Sequence, residues 1–150
     1  MTQEDKELLI KELSARLPYG VCVEHTSGFR GTLHDLTVYF TYNDDDTIKD
    51  YLCYTDFFGD ESCKIEFFKP YLYPLSSMTE EQRTELKELG ASVNCYNRIC
   101  FDSYDEYGMD IVITVDMTND VIDWLNKNHF DYRGLIAKDL ALDATNENIY

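Results

Sequence analysis

Residues 128–134 read NHFDYRG and bring an imidazole, a carboxylate, a phenol and a guanidinium close together. Acid–base catalysis there would need a second partner, which the sequence does not identify. A fastening accounts for every residue. His129 follows Leu125 by four positions and extends the apolar side of a preceding helix, and Phe130 drops into the core. Arg133 pairs with Asp131 or with helix-end carbonyls, Tyr132 buries its ring and hydrogen-bonds at its tip, and Gly134 releases the chain. The expectation is a structural clasp. His129, Tyr132 and Arg133 are kept as the alternative, a ligand pocket between a sheet and the C-terminal segment.

A second concentration of chemistry is acidic. From Ile99 to Asn126 there is no Lys or Arg, but there are Asp102, Asp105, Glu106, Asp110, Asp116, Asp120 and Asp123. A hairpin carrying such carboxylates can imitate a row of phosphates and occupy the groove of a basic or nucleic-acid-binding protein. Asp102, Asp105, Glu106 and Asp110 are the candidate partner-binding residues. The plainer account is solubility plus favourable acids at a helix N-terminus, for Asp116 and Asp120.

Other chemistries lack their patterns. There is no CxxC, no HxxxH and no Ca²⁺ loop, since NDDDT has neither the loop glycine nor the distal Glu. Cys95 and Cys100 stand five apart in a strand-like stretch and would face opposite sides. No metal and no cofactor is expected. Cys22 and His25 point to opposite faces of one strand, and no nucleophile elbow, P-loop or dinucleotide fingerprint occurs. The balance leans against an enzyme.

The totals agree. There are 29 Asp+Glu against 13 Lys+Arg, a net charge of −16. That argues against direct nucleic-acid binding and against anionic membranes, and it suits a basic protein partner. Five Cys in no familiar framework read as reduced core thiols of a cytoplasmic protein. MTQEDKELL is charged where an export signal is apolar, and no run approaches membrane-spanning length. The 150 residues, 44% hydrophobic and with 12 Tyr, read as one domain.

The elements that must position these groups follow from periodicity. Residues 2–17 predict a helix, with Thr2 and Asp5 as capping box, a stripe of Leu9, Ile10, Leu13 and Leu17, and Pro18 as stop. Period two then predicts strands over 19–25, 29–42, 47–58 and 62–68, with Leu36, Val38, Phe40 and Tyr42 alternating in the second. KPYLYPLSS at 69–77 reads as a two-proline connector. Residues 78–90 predict a surface helix capped by Thr79 and Gln82 and stopped at Gly90. Residues 92–101 and 109–115 predict a hairpin. Asp116 or Thr118 then caps a helix to about Lys127, which buries Val121, Ile122, Trp124 and Leu125. The expected fold is α+β: an N-terminal helix, a bent antiparallel sheet resembling a small partly open barrel, a surface helix, a β-hairpin and a C-terminal helix.

Three stretches carry a resemblance: RLPYG at 16–20, KPYLYPLSSMTEEQ at 69–82 and WLNKNHFDYRGLIAKDLALDA at 124–144. Together they resemble a family of small acidic proteins from gut Bacteroidales and their phages and prophages. Tyr73 stands where that pattern has Arg, and Asp139 where it has Gly. The resemblance implies a bacterial or phage-infected cytosol and a mobile-element setting, and it brings no activity. The resulting expectation is a non-enzymatic protein that binds a host or phage protein, with the acidic face as candidate contact.

Overall fold

Helix α1 (Gln3–Arg16) forms where the local signals put it. The Thr2 hydroxyl accepts from the Asp5 backbone, and Asp5 accepts from the Thr2 backbone, so two orphan donors of the first turn are satisfied. The computed structural model describes residues 1–45, 48–54, 63–101 and 115–150. The fold is α+β with open sheets, and the described residues gather into two units, 1–72 with 135–150, and 73–134.

The first unit holds α1 and strands β1 (Cys22–His25), β2 (Arg30–Thr32), β3 (Thr37–Tyr42), β4 (Ile48–Tyr54) and β5 (Cys63–Lys64). It also holds residues 68–72 of β6 (Phe68–Pro74), and β10 (Leu142–Asp143). β1 pairs antiparallel with β2 and β6, and β10 joins β6 in parallel. A separate antiparallel sheet has the order β3-β4-β5. Leu9 and Leu13 of α1, Val21, Val23, Leu33, Phe68 and Leu72 form the centre of the core. Each such fully buried side chain contributes roughly 1.5–3 kcal/mol. Glu12 and Arg16 are buried with them as an ion pair one helical turn apart.

Two expectations here are corrected. The strand expected over 29–42 is broken. Leu33 turns into the core, its N–H donating to the Val21 carbonyl at 2.9 Å, and the chain resumes as β3 in another sheet. Leu33 and Leu36 both pack on the core although three apart, which a continuous period-two strand forbids. The expected connector at 69–77 begins as β6, paired on both sides. Pro70, opposite Val23, closes the β1 ladder, where a missing N–H is tolerated. One step further the Tyr150 hydroxyl bridges the strands: it accepts from Cys22 N–H at 3.2 Å and donates to the Tyr71 carbonyl at 2.8 Å.

In the second unit, residues 73–74 of β6 pair in parallel with β9 (Phe130–Asp131). Helix α2 (Glu80–Glu88) has the expected Thr79–Gln82 box, and Gly90 leaves it at φ +82°. A Cβ there would come within 2.5 Å of the Met117 methyl. The single strand expected over 92–101 is instead a hairpin, β7 (Ala91–Val93) against β8 (Ile99–Phe101). Asn94 folds it, its Oδ1 accepting from the Tyr96 and Arg98 backbones at 2.9 and 3.1 Å. Asn97 supplies the left-handed residue. Residues 109–114 of the expected second strand lie outside the described residues, and Val115 opens α3 (Val115–Lys127). Asp116 and Thr118 therefore lie inside the first turns of α3 rather than at its cap.

Candidate functional site

Helix α3 ends in the His129 segment. Asn128 returns both its backbone and side-chain N–H to the Trp124 carbonyl, at 3.0 and 2.9 Å. His129 then adopts φ +55°, so it terminates the helix instead of extending its apolar side. Its ring is buried and its carbonyl accepts from Tyr73 N–H at 2.9 Å. Phe130 is buried, stacked on Trp124 at 5.7 Å between ring centroids. The Trp124 indole N–H donates to Glu85 at 3.0 Å. Tyr132 Oη donates to Asn126 Oδ1 at 3.2 Å, and the Arg133 guanidinium lies over the Tyr132 ring at 5.0 Å. Helix stop, strand pairing and aromatic packing are thus joined in one short stretch.

Tyr132 also lines a cleft of about 380 Å³ with Ile99, Phe101, Val121 and Leu125, and with Arg98 as its cation. The cleft is mainly apolar, in the size range of small-ligand pockets. His129 and Arg133 are not among its walls. Asp102, Asp105, Glu106 and Asp110 lie outside the described residues.

The other surface of interest was not singled out by its chemistry. β3 is an end strand of its sheet among the described residues. Val38 and Phe40 stand opposite the core residues Cys53 and Tyr51, and the strand passes the core's end at Tyr42, opposite the exposed Ile48. Phe40 and Tyr42 are 50% and 59% exposed, and Tyr39 on the other face is 52% exposed. Phe40 keeps an edge contact to the buried Tyr51 ring at 5.3 Å. Asp44 and Asp45, both exposed, continue the strand into an acidic turn. Strict alternation in TVYFTY reports a strand; it does not report where the core beneath it stops.

His25 packs edge-on against Phe67 and Phe68, its Nδ1 2.8 Å from Ser27 Oγ, and burial lowers its pKa. Burial raises the Cys22 thiol above its ordinary value. Among the described residues no three His, Cys, Asp or Glu side chains converge as a metal site, and no helix is long and apolar enough to cross a membrane. No family model, curated protein or solved structure matches the chain.

Proposed function

We propose that the chain is a non-enzymatic interaction protein of a phage or mobile element that binds a basic, extended segment of a protein partner along β3. The observation that carries this is the exposure of Phe40 and Tyr42 on a strand that leads into the exposed Asp44 and Asp45. Exposed aromatic side chains supply the contact area for an extended segment laid along the strand. The net charge of −16 selects a partner rich in Lys and Arg and accelerates its approach. The likeness of the three quoted stretches to the phage-associated family supports the mobile-element setting.

The test is capture from bacterial lysate at low and high salt. The baits are wild type, a Phe40→Ser/Tyr42→Ser variant, and a variant with Asp102, Asp105, Glu106 and Asp110 amidated. The expected partner is held at low salt, released at high salt, lost by the aromatic variant, and bound through a basic peptide that competes for it. Loss in the amidated variant alone transfers the contact to the acidic stretch. Absence of any specific partner overturns the interaction reading.

A second reading rests on the cleft beside Tyr132, whose size and apolar walls suit a small ligand with an anionic group for Arg98.

A further inference from the structure

The sheet that carries β3 holds a pair of thiols in register. Cys53 of β4 stands directly opposite Cys63 of β5, and their sulfurs are 3.7 Å apart. Directly opposed residues of antiparallel strands have Cα atoms about 4.5 or 5.5 Å apart, and both spacings fall within the range that a disulfide spans. The sulfurs need to close to about 2.05 Å, which side-chain rotation with a small approach of the two strands supplies. Both are free thiols here.

We infer that Cys53 and Cys63 are a modification site, a dithiol that a low-molecular-weight disulfide converts into a cross-strand β4–β5 disulfide. This goes beyond partner binding and does not depend on it.

Exposure fixes the order of events. Cys53 is fully buried, whereas Cys63 is half-buried and reachable. The Cys63 thiolate attacks one sulfur of the reagent, a mixed disulfide forms, and one small thiolate leaves with the proton that Cys63 gave up. The Cys53 thiolate then attacks the Cys63 sulfur, the second small thiolate leaves with the proton from Cys53, and the strand-to-strand bond closes. Two electrons pass from the protein to the reagent, which ends as two thiols. Burial raises both protein thiols above their ordinary values, so the pair reacts slowly and stays reduced under brief exposure. Cys95 is exposed in the hairpin turn, and Cys100 of the same hairpin stands opposite Ser92, so Cys95 serves as the internal control.

The experiment equilibrates the whole chain in glutathione buffers of rising oxidised fraction, traps thiols by alkylation and maps peptides without reduction. The expected result is a 53–63 linked peptide, with Cys22 and Cys100 alkylated, and a Tm raised by several degrees because the closed loop restricts the unfolded chain. In Cys53→Ala, glutathione remains attached to Cys63. Retention of free Cys53 and Cys63 in fully oxidised buffer overturns the inference. So does a glutathione adduct that persists on Cys63 of the wild-type chain, or a link that runs through Cys95 instead.

Discussion

Phe130 and Tyr42 are aromatic residues on short strands, and they sit in opposite circumstances. Phe130 is buried between Trp124 and Tyr73 in a segment whose backbone is tied to helix α3 and to β6. Tyr42 lies at the end of β3 with more than half its surface in water. The first arrangement uses aromatic area for internal cohesion. The second leaves it available, next to two exposed acids. Residue type does not separate a fastening from a contact surface; the extent of core beneath the residue does. The segment richest in chemically versatile side chains is therefore the one spent on holding the second unit together. Under the proposed function, a plain alternating strand supplies the contact surface.

The sharpest way to break this comparison is to truncate one member of each set. Phe130→Ala is expected to destabilise by about 3–5 kcal/mol in urea unfolding, because the stacked ring leaves a cavity. Tyr42→Ser is expected to stay within about 1 kcal/mol of wild type while weakening partner capture. Equal destabilisation by the two would show that β3 is as enclosed as β9.

An intermediate effect comes from phenols that are buried rather than exposed. Tyr51 Oη donates to Glu7 at 2.8 Å, and Tyr71 Oη donates to Glu24 at 2.5 Å. Burial, then the carboxylate hydrogen bond, pushes each up to about 12. In the unfolded chain both ionise near 10. Their contribution is whole below pH 10 and disappears as pH rises to 12, because the unfolded state releases its protons first. Urea midpoints are expected to fall across that window, with a shallower fall in Tyr51→Phe.

The smallest effect is expected at Asp139, an exposed residue at φ +57° whose carboxylate meets Lys69 at 2.6 Å. Asp139→Gly gives up an exposed ion pair worth roughly 0–1 kcal/mol and relieves a left-handed residue. A net change within about 0.5 kcal/mol, measured by thermal unfolding, is expected.

What was legible in the sequence was local. Both capping boxes, the stop at Gly90 and the α+β class follow from residues a few positions apart. The burial of Phe130 and the Tyr132 hydrogen bond were also legible, because a helix end constrains the next few residues. What was missed depended on distant partners. The strand identity of KPYLYP rests on β1 and β10, which only the folded chain brings beside it. The hairpin at Asn94 was hidden by β-prone residues on both sides of a short turn. The Glu12–Arg16 pair carried a usable signal: both residues fall on the stripe of Leu9 and Leu13, at helical spacing and with opposite charge. The exposure of Phe40 and Tyr42 carried none.

The hydroxyl of Tyr150 stands in for a rung between β1 and β6, and β10 completes that sheet from the same late stretch of chain. During synthesis, residues 73–134 emerge before those strands can be completed. The second unit is contiguous and can close on its own schedule. The first must hold residues 1–72 in an unfinished state until residues 135–150 arrive, so its assembly is the last and most topologically distant step of folding.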